Sequence, residues 1–280
     1  MLPNLIIIGA MKSGTTSLHR YLNLHPEISM SHPKELNFFS NKINWQKGIQ
    51  WYDSNFTEKV KILGESSTNY TKFPTYTGVA EKMHAVLPDA KLIYLLRDPI
   101  ERIKSHYIEN FFSGREIRTI HRVLRDIDNN HYLNCSKYYC QLEQYLNYYP
   151  GSNISIIDSF DLKNKRQQTL RTIFRFLGVD DTFTCPDFFE IHRKSSEKKK
   201  KNILGKILKR IQLLMPANLK SFIKKFLPSN FKEHSDRLIL SKTSLPSIDS
   251  QLRQKLITYL ENDVKQLRDY SGESFSQWSL

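Results

Sequence analysis

Cysteine is scarce in this chain: three in 280 residues, at Cys135, Cys140 and Cys185. Three thiols exclude a disulfide framework, and their spacing matches no metal-ligand pattern. Cys135 and Cys140 fall on one expected helix, where they read as two small buried side chains and not as a redox pair. Long apolar runs are missing too. No stretch approaches the ~18 uncharged apolar residues that a membrane span requires. The N-terminus shows no charged lead followed by an apolar region and a cleavage site, so no signal peptide is expected. With Met1 as the start, the protein is expected in the cytoplasm. The four Asn-x-Ser/Thr sites, at Asn55, Asn69, Asn134 and Asn153, then carry no meaning. What the chain does have is apolar bulk. With 16 Phe, 14 Tyr and an apolar share of 39% it can bury a sizeable core, which excludes a disordered chain. The length suits one or two domains, including one domain with an appendage.

Acid is in short supply in one place only. Between Arg193 and Lys232 there are thirteen Lys or Arg and a single acid, Glu197, so +12 of the +14 net charge sits there. The high basicity therefore describes an appendage, and nucleic-acid binding by the main body loses its compositional support. Within the appendage Ile203, Leu204, Ile207, Leu208, Ile211 and Leu214 recur at helical spacing, with Lys206, Lys209 and Arg210 between them. Pro216 interrupts. Leu219, Phe222, Ile223, Phe226 and Leu227 form a second such pattern that Pro228 ends. A basic amphipathic insertion at about 193–232 results. Through residues 198–227 it suits peripheral contact with an anionic membrane, on the inner face if the protein is cytoplasmic. An ordinary helical hairpin with solvated lysines, or a grip on a polyanionic polymer through Lys198–Lys201, fits the same pattern.

Elsewhere strands and helices alternate. Short apolar runs at 5–8, 61–64, 91–96 and 153–157 read as buried strands. Helices are expected at about 16–23, 75–86, 99–112, 120–129, 136–148, 167–177 and 250–268. Pro99 suits a first helical position, and Gly178 a C-cap. The alternation predicts a three-layer α/β domain over residues 1–280, a central parallel sheet flanked by helices.

The first strand runs into Gly9-Ala-Met-Lys12-Ser13-Gly14-Thr15-Thr16-Ser17. A glycine-rich turn between a buried strand and a helix exposes backbone N–H groups at the positive end of the helix dipole, an anion site. Gly14 lets the chain approach a phosphate closely, and Ser13, Thr15, Thr16 and Ser17 can add hydroxyls. The loop differs from the nucleotide-triphosphatase form G-x-x-x-x-G-K-[ST]. Position 15 is Thr, and the lysine has moved to position 12. A kinase would also want a carboxylate for Mg²⁺. Asp98 is the obvious candidate, but it reads better as the cap of the helix that starts at Pro99.

These residues resemble a known family. Ile8 to Leu18 resembles the 5′-phosphosulfate loop of sulfotransferases that use 3′-phosphoadenosine 5′-phosphosulfate (PAPS). Tyr94-Leu-Leu-Arg97-Asp-Pro-Ile-Glu-Arg-Ile-Lys-Ser105-His-Tyr107 resembles that family's 3′-phosphate motif. His32-Pro-Lys-Glu35-Leu-Asn-Phe-Phe39 is similar to the Lys-Glu-x-x-Phe-Phe segment of the heparan-sulfate branch, and residues 252–278 have the family's closing helix and Ser-x-Trp. The resemblance covers about residues 4–180 and 250–280. It implies a P-loop-like fold, and sulfuryl transfer from PAPS, without a metal, to a hydroxyl or amine of a carbohydrate or glycolipid. Adenosine 3′,5′-bisphosphate is the other product.

Residue roles follow from resemblance and chemistry together. Arg97, at a strand end, can clamp a phosphate bidentately. Ser105, two turns into the next helix, can add a hydroxyl, and Arg102 can assist. Resemblance implies that Arg97 and Ser105 hold the 3′-phosphate. Lys12 is placed to meet the bridging oxygen that gains charge as the S–O bond breaks. Resemblance makes Glu35 the general base, with His32 as a rival. It also sets Tyr138 near the nucleotide. One departure stands out: in Gly64-Glu65-Ser66 the branch often carries lysine after the glutamate, so a second active-site cation is missing or supplied elsewhere. Trp45, Trp51, Tyr52 and Phe56 suit core packing or stacking on a sugar ring. The alternatives to a sulfotransferase are a nucleotide-dependent small-molecule kinase and a non-catalytic protein that binds polyanions or membranes.

Overall fold

The computed structural model describes residues 1–190 and 246–280. Five strands, β1 (Leu5–Gly9), β2 (Ile28–Met30), β3 (Ile62–Ser66), β4 (Lys91–Leu96) and β5 (Ile154–Asp158), form one sheet in the order β2-β3-β1-β4-β5. Every pairing is parallel, with Leu5 opposite Gly64 on one side and Lys91 on the other. A parallel sheet is covered on both faces, which is why the strands read as unbroken apolar runs and not as alternations. Ile6, Ile8, Leu92, Tyr94 and Leu96 enter one core, while Leu5, Ile7, Ile93 and Leu95 enter the other.

The helices are α1 (Thr15–Leu22), α2 (Lys42–Gln46), α3 (Gly48–Asp53), α4 (Val79–Val86), α5 (Pro99–Ser113), α6 (Ile120–Val123), α7 (His131–Asn134), α8 (Tyr138–Leu146), α9 (Ser159–Asn164), α10 (Arg166–Leu177) and a final helix, Ser250–Ser271. α1 and α10 close one face through Leu18, Leu22, Ile173 and Phe174. α4, α8 and the second half of the final helix close the other, through Met83, Leu142, Val264 and Leu267. The first half of the final helix packs Leu252, Leu256 and Leu260 on Ile100, Ile103 and Tyr107 of α5. Trp45, Trp51, Tyr52 and Phe56 pack with Phe38 and Phe39 in or against the core, with Phe38 stacked on Tyr52 at 4.4 Å.

Two expectations are corrected. β2 is a fifth strand whose three residues are too short to leave a pattern; the Asn23 side chain accepts a hydrogen bond from Met30 N at 2.8 Å and helps to set it. The helix expected over 120–129 stops at Val123, because the Asn130 amide takes the Val123 carbonyl at 2.7 Å and its oxygen caps α7 instead. The basic insertion at about 193–232 lies outside the described residues.

Strand order places the site. The connections from β1 lead to one side of the sheet and β4 lies on the other, so the loops after β1 and β4 part at their carboxyl ends, where open α/β sheets hold ligands. The chain's end is sewn to the same edge. Asp98 Oδ2 accepts from Ser279 N at 2.6 Å, and Trp278 donates its indole N–H to Asp158 at 3.2 Å.

Candidate active site

The loop from β1 to α1 is shaped by two left-handed residues, Lys12 (φ 75°) and Gly14 (φ 100°). Glycine adopts this conformation freely, whereas a lysine there costs roughly 1–3 kcal/mol, strain of the kind found at binding sites. Gly9 must be glycine for another reason: a Cβ there would lie 2.0 Å from Thr71 Oγ1, which donates to the Ile8 carbonyl. The loop is thus pressed against the turn that follows β3. Gly14 is the N-cap of α1 and brings no side-chain cap, and the first turn has no acid. The leading N–H groups of α1 are left for an anion from outside the chain. α5, α9 and the final helix, by contrast, carry their own Asp caps.

Lys12 stands where two cavities meet. One, of about 440 Å³, is lined by Lys12, Ser13, Arg97, Asp158 and Trp278 among others. The second, of about 870 Å³, is lined by Lys12, Thr15, Thr16, Glu35 and Ser105 among others. Gly14 and Ser17 border both. Of the residues singled out in the sequence, then, Arg97 shares a cavity with Lys12 on one side, and Ser105 and Glu35 share one with it on the other. The Lys12 ammonium is paired with Glu109 at 2.9 Å, one turn beyond Ser105 on α5. Arg97 pairs with Glu101 at 3.7 Å. Tyr138 lines neither cavity. It is fully buried and donates its hydroxyl to the Arg97 carbonyl at 2.8 Å, fixing the β4–α5 corner from beneath.

Arg102 is corrected outright: it is fully buried and cannot assist at the surface. Its guanidinium donates to Ser136 Oγ and the Tyr132 carbonyl, both at 2.5 Å, and braces α5 against α7. Asp98 is the cap the sequence suggests, its Oδ1 accepting from Glu101 N at 3.0 Å.

Glu35 borders the larger cavity, 41% exposed, accepting from Lys34 Nζ at 2.8 Å and Thr68 Oγ1 at 3.5 Å. His32, the rival base, is exposed and lines neither cavity. The loop that carries Glu35 is held from below. Asn37 N donates to Ser67 Oγ at 2.9 Å, and Ser67 in turn donates to the buried Glu65. Glu65 also accepts from Tyr52 at 2.5 Å and Tyr70 at 2.7 Å. Burial raises the Glu65 carboxyl above its ordinary range, and three hydroxyl donors oppose that shift.

Sequence reasoning passed over several residues of the larger cavity: Lys72, His106, Glu109, Arg115 and His131. His106 falls within the motif that ends at Tyr107, but the motif gives it no role, and no motif marks the others, since α5, the loop after it, α7 and the turn after β3 converge only in space. Burial, followed by the charge of Arg102, pushes His106 well below the usual imidazole range; burial and Lys72 lower His131. Both rings are therefore neutral near pH 7. Lys12 thus has Arg97 on one side and, on the other, a carboxylate, the hydroxyls of Thr15, Thr16 and Ser105, two neutral imidazoles and further cations.

Comparison with known proteins identifies the family. The sulfotransferase domain family matches residues 2–261. A bovine bifunctional heparan sulfate N-deacetylase/N-sulfotransferase 2 is 30% identical over 91% of this chain and 31% of its own length. The membrane-associated sulfotransferase kil1 of Dictyostelium discoideum is 42% identical over 38% of this chain and 22% of its own. The chain thus spans about a third or less of these relatives. A sulfotransferase from Alicyclobacillus acidocaldarius has the same fold, with a TM-score of 0.69 at 22% identity over the whole of both chains. The chain belongs to the sulfotransferase domain family.

Proposed function

We propose that this protein transfers a sulfuryl group from PAPS to an amine or hydroxyl of a carbohydrate acceptor. One observation carries the reading: Lys12 lies between a cavity that holds Arg97 and one that holds Ser105 and Glu35. The uncapped start of α1 and the hydroxyls of residues 13–17 take the 5′-phosphosulfate, and Arg97 takes the 3′-phosphate; Ser105, the second donor expected there, borders the other cavity and would have to reach that phosphate from the far side of Lys12. As the acceptor's lone pair forms its bond to sulfur, the bond from sulfur to the 5′-phosphate oxygen breaks. The electron pair stays on that oxygen, where Lys12 meets the developing charge. The acceptor's proton goes to Glu35. The Lys12–Glu109 pair does not oppose this, because Glu109 is 44% exposed and such pairs hold weakly. The heparan sulfate N-sulfotransferase relatives favour an amino sugar as acceptor.

A kinase fits less well. Asp98 caps α5 through Glu101 N and holds Ser279 N, so the carboxylate a kinase would want for Mg²⁺ is serving as a structural acceptor. Thermal shift separates the two: adenosine 3′,5′-bisphosphate without Mg²⁺ raises the melting temperature, and ATP with Mg²⁺ does not. Labelled PAPS with N-desulfated heparin, heparosan and chitotetraose then tests the acceptor; transfer to none of them rejects the carbohydrate. Peripheral membrane contact through 198–227 is part of the proposal, in keeping with the name of the Dictyostelium relative. It predicts flotation with vesicles that contain phosphatidylserine and none with pure phosphatidylcholine; flotation with neither rejects it.

A further inference from the structure

The turn after β3 carries a cation that none of the motifs accounts for. In the 3₁₀ turn Thr68–Thr71, Tyr70 points inward to Glu65 and Thr71 to the Ile8 carbonyl. Thr68, Asn69 and Lys72 are left to line the larger cavity with Lys12 and Glu35. The Lys72 ammonium donates to the Asn69 amide oxygen at 2.6 Å, a neutral acceptor, and no ion pair holds it among the described residues. Position 66, by contrast, is fully buried within β3 and is a serine. We propose that Lys72 is the second cation of the reacting centre, contacting the sulfuryl oxygens of the donor while Lys12 contacts the leaving oxygen.

This rests on the sulfuryl-transfer reading of the same site, and it is an electrostatic argument. A half-buried ammonium whose hydrogen-bond partner is neutral has lost part of its hydration, and Glu35 offsets that loss only through space, without an ion pair. An anion that enters the cavity supplies the missing charge in a setting where water screens it poorly. The group being transferred carries one negative charge shared among three oxygens, so a cation fixed beside them lowers the cost of bringing an acceptor's lone pair to sulfur. The bond changes are those given above, and Lys72 donates no proton.

The groups around Lys72 come from four elements: Glu35 from the loop before α2, Arg102 and His106 from α5, Arg115 from the loop after it, and His131 and Cys135 from α7 and its end. Burial lowers Lys72, Glu35 and Cys135 work against that, and Arg102 and Arg115 add to it. Burial lowers His106 and His131 from the ordinary imidazole value, away from the alkaline window in which Lys72 loses its proton, whereas burial raises the Cys135 thiol toward that window.

The test uses the full chain and two reactions of labelled PAPS: slow release of sulfate to water, which needs no acceptor, and transfer to N-desulfated heparin. Lys72→Met is expected to lower both rates by the same factor, ~10²-fold, the size of effect seen when one transition-state donor is removed. Stabilisation by adenosine 3′,5′-bisphosphate stays at the wild-type level, which shows that the variant is folded. Lys72→Arg restores most of the rate and moves the alkaline limb of the pH profile upward. A drop in heparin transfer with unchanged release to water places Lys72 on the acceptor and overturns the proposal. So does an unchanged rate in both reactions, or an alkaline limb that stays in place in Lys72→Arg. If adenosine 3′,5′-bisphosphate fails to stabilise even the wild type, the sulfuryl-transfer reading has failed, and the role of Lys72 falls with it.

Discussion

The loop that presents Glu35 is tied to the sheet through one hydroxyl, and Ser67→Ala removes it. Ser67 Oγ accepts from Asn37 N at 2.9 Å and donates to the buried Glu65 carboxylate. The substitution therefore deletes two hydrogen bonds. The one to Glu65 belongs to the class with a charged partner, about 1.5–3 kcal/mol, and the one from the backbone to the neutral class, about 0.5–1.5 kcal/mol. Glu65 keeps its donors from Tyr52 and Tyr70, so the loss stays near the sum of the two, roughly 2–4.5 kcal/mol. Urea unfolding followed by tryptophan fluorescence reads this as a lower midpoint at unchanged slope. Function should fall in a particular way. Asn37 is two residues from Glu35, and the nucleotide donors lie on other elements. Turnover in the folded variant thus drops, while affinity for adenosine 3′,5′-bisphosphate stays at the wild-type level. A stability loss below ~0.5 kcal/mol, within the range of an ordinary surface substitution, would refute the reasoning about the tether. A full loss of stability with unchanged turnover would refute the claim that the tether positions Glu35.

Three further outcomes are expected. Glu35→Gln lowers turnover by ~10²-fold or more, the usual effect of a lost acid/base group, and leaves nucleotide affinity intact; near wild-type turnover removes Glu35 from the mechanism. Arg97→Ala weakens adenosine 3′,5′-bisphosphate by about 1.5–3 kcal/mol, the value of a charge-assisted bond, and leaves adenosine 5′-phosphosulfate unaffected; calorimetry with both ligands checks it, and equal weakening of the two places Arg97 elsewhere. The third concerns Asp263, which accepts from Tyr139 N and Cys140 N at 3.0 Å each and is pushed up to about 6 by burial. The folded chain holds this proton more tightly than the unfolded one, so stability from this group is lost as pH rises through its ordinary value of 3.8 toward about 6. Asp263→Asn removes that dependence. The stability difference between wild type and variant should change by on the order of 2–3 kcal/mol across the window, and parallel pH profiles would contradict it.

Much of the fold was written in local signals. β1 and β4 are runs of apolar residues that a buried parallel strand requires, and both formed within a residue of expectation. Asp98 and Pro99 open α5, and Gly178 closes α10 at φ 76°, because caps and left-handed glycines act over four residues and need no distant partner. β2 escaped notice because three residues cannot show a period. The helix expected at 120–129 failed because a side chain further along, Asn130, competed for the Val123 carbonyl.

The glycine-rich loop, with its two glycines and displaced lysine, and the arginine at the end of β4 were legible along the chain, because those features depend on spacing within one stretch. What surrounds them came from packing. The Glu65 network joins residues from 37 to 70, and the surroundings of Lys72 draw on segments from 35 to 135. Arg102 and Arg97 lie five residues apart on one motif, yet one is locked inside and the other borders a cavity. Spacing along a chain fixes which residues can share a helix face, but desolvation and charge depend on what packs against that face, and that is set by elements far away in sequence.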